Sequence, residues 1–99
     1  MAVSRTNIFD EKRVAVASKG YKNMERALLS AGMSYPTITN IMSEVRGQTM
    51  VTCTFEEDEN PVIREITFEK RDQIGSANLF AVGISYYGER RPEVYEVVI

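Results

Sequence analysis

From Tyr21 the apolar side chains Tyr21, Met24, Leu28 and Ala31 return at intervals of three and four, with Ala27 and Leu29 beside them. This spacing predicts a helix of about eleven residues that ends at Gly32, a residue able to take the positive φ of a helix terminus. A second stripe follows, with Ile38, Ile41, Met42 and Val45 at i, i+3, i+4 and i+7. Ser34 is a candidate N-cap for it, Pro36 suits its first turn and Gly47 closes it. Read as a strand, the same stretch would put Ile38, Asn40, Met42 and Glu44 on one face, so the helical period fits better. Upstream, Asp10 can cap a segment from Lys12 to Lys19 with Gly20 as its stop. The alternation of Val14 and Val16 also suits a short strand there; the alanines, the cap and the stop together favour helix.

After Gly47 the period changes to two. Strands are predicted at Thr49 to Phe55, Val62 to Glu69, Leu79 to Tyr87 and Glu93 to Ile99, all rich in Val, Ile, Phe, Tyr and Thr. Glu56 to Pro61 and Gly88 to Pro92 have hairpin-loop composition, and Lys70 to Ala77 reads as a polar connection. Phe80, Val82, Ile84 and Tyr86 would line one face of the most apolar strand, and Cys53 would share an apolar face with Val51 and Phe55. The expected fold class is α+β in a single domain spanning 1–99. Residues 1–47 are helical, with a helix-turn-helix at 21–46, and 48–99 form a four-stranded antiparallel sheet.

Composition narrows the function classes. The chain has 99 residues, 43% hydrophobic and 26% charged, and no run approaches the roughly 20 apolar residues that span a bilayer. Met1 to Phe9 holds no apolar run of the secretory kind, so a cytoplasmic or virion-borne location is expected and no membrane partner. Histidine is absent, which removes the usual proton shuttle and the commonest metal ligand. The single cysteine, Cys53, has no basic neighbour to activate it and reads as a small buried hydrophobe. No glycine-rich phosphate loop occurs. A protein without catalytic residues, metal or cofactor is therefore expected, and not an enzyme.

Charge is unevenly divided beneath the net −2. Residues 1–47 carry seven basic side chains (Arg5, Lys12, Arg13, Lys19, Lys22, Arg26, Arg46) against four acidic ones, a net +3. Residues 48–99 carry five basic against ten acidic, a net −5. A molecule built this way has one region that attracts polyanions and one that repels them.

Two short helices joined at a glycine, with Met33 directly after it and Ile38 and Ile41 three apart in the second helix, meet the packing needs of a helix-turn-helix. The run Ala31-Gly32-Met33-Ser34-Tyr35-Pro36-Thr37-Ile38-Thr39-Asn40-Ile41 resembles the motif of the lactose-repressor family of bacterial regulators and of many phage repressors. The resemblance covers Glu25 to Glu44 and not the sheet. It implies a second helix lying in the major groove of double-stranded DNA, with Tyr35, Thr37, Thr39 and Asn40 facing the bases and Ser34 and Thr39 placed for phosphates. Leu28 stands where that motif has a small residue, and the second helix carries no Lys or Arg before Arg46. Phosphate contacts would fall to Lys19, Lys22, Arg26 and Arg46, joined by Lys12 and Arg13 if the first segment packs nearby.

The function expected is that of a small DNA-binding transcriptional regulator, bacterial or phage-encoded. Its sheet would make a homodimer, since one short helix-turn-helix buries too little for a long site. If the hairpin Thr49 to Glu69 followed as a wing, its acidic tip Glu56 to Glu59 would repel phosphate. The alternative is a non-enzymatic protein-interaction module, such as a phage-encoded inhibitor or an accessory subunit. It would offer a partner the acidic sheet or an unpaired edge strand.

Overall fold

The structure is a computed structural model and describes residues 8–99. Helix α1 spans Ile8–Ser30 and helix α2 Tyr35–Val45. Strands β1 (Met50–Thr54), β2 (Ile63–Ile74), β3 (Ala77–Tyr86) and β4 (Glu93–Val98) follow, paired antiparallel in the order β1-β2-β3-β4. This is the expected α+β arrangement, with helical segments first and a four-stranded meander after them. Arg5 falls outside the described residues.

The N-terminal helical part departs from its predicted form. Gly20 does not stop a helix; it lies inside α1, which runs unbroken for 23 residues. A glycine inside a helix costs about 1 kcal/mol against alanine, so a compensating contact is needed. Here a Cβ on Gly20 would fall 2.0 Å from the main-chain oxygen of Glu96 in β4. The missing side chain lets α1 lie directly on that strand. Gly32, with φ +92°, is the true turn: Met33 N–H donates back to the Leu28 carbonyl at 3.1 Å, and the chain enters α2. Ser34 caps α2 as expected, its Oγ accepting from Thr37 N–H at 3.3 Å.

One face of the sheet is covered by the helices. Val51 and Cys53 of β1, Ile66 and Phe68 of β2, Phe80, Val82 and Ile84 of β3, and Tyr95 and Val97 of β4 share it by register. A bulge between Ile63 and Glu65 returns Ile63 to this face, where it is fully buried. Met24 and Leu28 of α1, Met33 of the turn, and Ile38, Ile41, Met42 and Val45 of α2 complete the core. Ile38 and Ile41 are buried as expected, although within a core that the sheet dominates. The main partner of α1 is β4, not α2.

The polar connection predicted at Lys70 to Ala77 is also different. β2 continues to Ile74, Gly75 and Ser76 make the turn, and β3 begins at Ala77. Gly75 takes φ +59°, the positive angle that a two-residue hairpin wants at its first turn position. The hairpin is long despite its polar sequence because every residue of this stretch of β2 is paired or bulged against β3. Arg13 of α1 also ties it down through Asp72, at 2.9 Å. The acidic segment after β1 is an ordered turn: Glu59 N–H and Asn60 N–H both donate to the Glu56 carbonyl at 2.9 Å. Asn60 is buried, and its Oδ1 accepts from Val62 and Ile63 N–H at 2.8 Å each.

Candidate nucleic-acid interface

Helical periodicity fixes where the cations of α1 point. Ala17, Met24 and Leu28 face the sheet and are fully buried. At 100° per residue, Lys12, Lys19, Lys22 and Arg26 fall on the opposite side of the helix, and all four are exposed. The stripe covers about 21 Å along the axis at 1.5 Å per residue. Lys12 belongs to it only because α1 is continuous through Gly20. Its spacing of seven from Lys19, and that of Lys19 from Arg26, was the sequence signal for this alignment. Arg13 is turned toward the hairpin and its ion pair with Asp72.

The polar residues of α2 occupy three directions. The buried stripe of Ile38, Ile41, Met42 and Val45 faces the core, and Asn40 lies almost opposite it, exposed. Tyr35, 59% exposed, lies on the flank toward α1, near enough to Tyr21 to act on its ionisation. Thr39 is one turn further along that flank, its Oγ1 donating to the Tyr35 carbonyl at 3.1 Å. Thr37 lies on the other flank, its Oγ1 2.7 Å from Ser34 Oγ. Burial first, then Glu25 and Tyr35, push the Tyr21 hydroxyl up, while Arg46 acts in the opposite direction.

Two depressions flank α2. One, of about 360 Å³, is lined by Ser18, Tyr21, Lys22, Met42, Arg46, Val98 and Ile99, and so brings Lys22 of α1 and Arg46, the C-cap of α2, to the same cleft. The other is lined by Gly32, Met33, Ser34, Thr37, Phe55, Glu59 and Asn60. Glu59 of the acidic turn therefore borders the same depression as the N-terminal end of α2. The Glu59 carboxylate closes its own turn, Oε1 accepting from Glu56 N–H at 2.9 Å, and α2 has no acidic residue in its first turn. Sequence alone does not place this turn, because no local pattern links residues 56–59 to residue 34.

Elsewhere the polar groups read as structural. Tyr86 Oη donates to Glu93 at 2.9 Å, and Tyr95 Oη donates to the same carboxylate. Burial, then that carboxylate, pushes Tyr86 up to about 12 and raises Tyr95 as well. Both hydroxyls stay protonated through the neutral range; the Tyr86 bond fastens β3 to β4, and the Tyr95 bond lies within β4. Cys53 is half-buried, its thiol pushed up by burial and then by Glu44 of α2, which is the opposite of an activated nucleophile. No helix among the described residues is long and apolar enough to cross a membrane.

Fold and surface together define a two-layer α+β protein: a helical pair whose outer surface carries a basic stripe beside a polar short helix, laid on an antiparallel meander. The chain matches no protein-family model, no curated protein and no solved structure.

Proposed function

We propose that the protein binds duplex DNA through the outer surface of its helical layer, as a dimeric transcriptional regulator. The observation that carries this reading is the alignment of Lys12, Lys19, Lys22 and Arg26 on one exposed stripe, with Arg46 lining the cleft that Lys22 borders. Phosphate neutralisation dominates affinity for a duplex, and a row of cations on a rigid helix supplies it with the backbone already ordered. Asn40, pointing outward, is the residue of α2 best placed to read a base edge.

The test is fluorescence anisotropy on labelled duplexes at several salt concentrations. Lys22→Glu with Arg26→Glu is expected to weaken binding to all duplexes and to make the salt dependence shallower by about one unit of slope per lost phosphate contact. Arg90→Glu with Arg91→Glu, in the loop between β3 and β4, is expected to leave binding nearly unchanged. A wild-type protein that binds no duplex at low salt sinks the proposal; a larger loss from the loop pair than from the helix pair moves the binding surface to the sheet.

One observation favours the second reading, a protein-interaction module. A helix entering the groove N-terminus first would carry the acidic turn toward the phosphates, because its Glu59 borders the depression that Ser34 and Thr37 line. Copurification of a stable protein partner, with no nucleic acid retained at low salt, supports this reading instead.

A further inference from the structure

The two edges of the sheet are treated differently. In β4, Ile99 N–H bonds the Asn78 carbonyl at 3.0 Å, so the alternating ladder sends the backbone groups of Val94, Glu96 and Val98 outward. The Glu96 oxygen is the atom against which Gly20 packs, so α1 lies across this edge. In β1, Lys70 N–H bonds the Thr49 carbonyl at 2.8 Å and Phe55 N–H bonds the Arg64 carbonyl at 2.9 Å. By the same alternation, Val51 and Cys53 bond to β2, and Met50, Thr52 and Thr54 turn their N–H and C=O groups away from the sheet. No other strand pairs with them among the described residues. The strand is regular, and neither Pro, Lys nor a bulge interrupts Met50–Thr54, the devices by which an exposed edge is usually blunted.

We infer that a second copy of this chain occupies the β1 edge, the two β1 strands pairing antiparallel about a two-fold axis at Thr52. Only residues 50, 52 and 54 offer outward groups, and the register centred on Thr52 is the one that uses all of them. Thr52 then faces Thr52 of the second copy, and Met50 faces Thr54, each pair exchanging both of its N–H···O bonds.

Three observations select a second copy rather than an unrelated strand. First, Val51 and Cys53, on the inner face, are only half-buried although they pack against the core. In this register Val51 of each copy lies opposite Cys53 of the other, which extends the core across the axis. Second, β1 carries no charge, so the copies meet without like-charge repulsion at the ladder. Third, a protomer with one covered edge and one bare edge closes on pairing: two four-stranded sheets become one of eight strands with α1 at both ends. An axis perpendicular to the sheet also puts both helical layers on the same face. Both basic stripes then point the same way, as a dimeric polyanion-binding surface requires.

This inference locates the dimer contact of the functional reading, and its test contains no DNA, so the two can fail separately. Sedimentation equilibrium of the full chain is expected to give the mass of two copies. Thr52→Pro removes an N–H that the protomer itself does not use, and Thr52→Lys sets like charges opposite each other; both are expected to give the mass of one copy with an unchanged circular dichroism spectrum. If Thr52→Pro disturbs the fold, Thr52→Lys carries the test. The register is read with nitroxide labels on a Cys53→Ser background. In an antiparallel pair centred on Thr52, the Cα atoms at that position are about 5.5 Å apart and those at Thr54 about 14 Å apart. Strong dipolar broadening is therefore expected for Thr52→Cys and much weaker broadening for Thr54→Cys. A single-copy mass at all concentrations, a two-copy mass that survives Thr52→Lys, or broadening that is not strongest at position 52 overturns the inference.

Discussion

The two halves of α1 share one unbroken backbone and differ in almost everything else. From Ile8 to Lys19 only Ala17 is buried, while Ile8, Phe9 and Val16 are 67%, 77% and 61% exposed. Beyond Gly20, Met24 and Leu28 are fully buried, and Tyr21 pack against the core with them. The first half runs beside the β2–β3 hairpin, where Glu11 and Val14 border Ile74 to Ala77, and the Arg13–Asp72 pair bridges the gap. The second half lies on the sheet. Helical hydrogen bonding is thus continuous where packing is not, and Gly20, pressed on Glu96, marks the change. The difference teaches that the second half supplies the stability, while the cationic stripe runs along both halves and needs the first only for its reach.

The strongest way to break this comparison is to remove one side chain from each half. Leu28→Ala is expected to destabilise the protein by about 2 to 5 kcal/mol, because it leaves a cavity among groups that cannot fully close around it. Val16→Ala is expected to fall within about 0.5 kcal/mol of the parent, as exposed substitutions usually do. Urea denaturation of both variants measures this, and equal losses would end the distinction.

Gly20→Ala probes the boundary. In a free helix the change is worth about 1 kcal/mol of stabilisation. Here the new Cβ meets main-chain oxygen at 2.0 Å, and the clash is expected to reverse the sign, to a loss of about 1 to 3 kcal/mol. A more stable variant by thermal melting would show that α1 does not rest on β4 at that point.

A smaller effect tests whether the first half shares in the basic surface. Lys12→Glu is expected to make the salt dependence of duplex binding shallower by about one unit of slope, as Lys19→Glu should, if both face phosphates. An unchanged slope for Lys12→Glu alone would end the surface at Lys19.

The smallest effect is acid-dependent. The Gln73 N–H and then the Arg13 guanidinium hold the Asp72 carboxyl below the usual carboxylate range. A carboxyl lowered on folding contributes stability above its unfolded value and loses it as pH falls through the folded one. The protection of amides in residues 11–19, measured relative to their intrinsic exchange rates, is therefore expected to fall as pH drops through the carboxylate range, with that of residues 21–30 unaffected, and Arg13→Ala to abolish the difference. The pair is exposed, so global stability should hardly move.

What could be read along the chain was whatever one element decides by itself. The period of Ile38, Ile41, Met42 and Val45, the Ser34 cap and the Gly32 turn are local, and each stands in the structure where the spacing placed it. The alternation through Phe80, Val82 and Ile84 likewise reports one strand with one covered face. The candidate surface was legible in part: Lys19, Lys22 and Arg26 are exposed on one side of a helix, but Thr37 and Tyr35 lie on opposite flanks of α2.

Tertiary structure decided the rest. A glycine after an alanine-rich segment reads as a stop, and only the Glu96 carbonyl, 76 positions away, makes it a contact inside a helix. Polar residues from Lys70 to Ile74 read as a loop until β3 lies beside them to pair. Whether Glu59 stands far from α2 or beside the depression at its first turn, and which edge of the sheet is covered and which left bare, depends on where helices come to rest on the sheet. Those placements are set by the burial of many side chains at once, a free energy shared among distant segments that no single segment's pattern records.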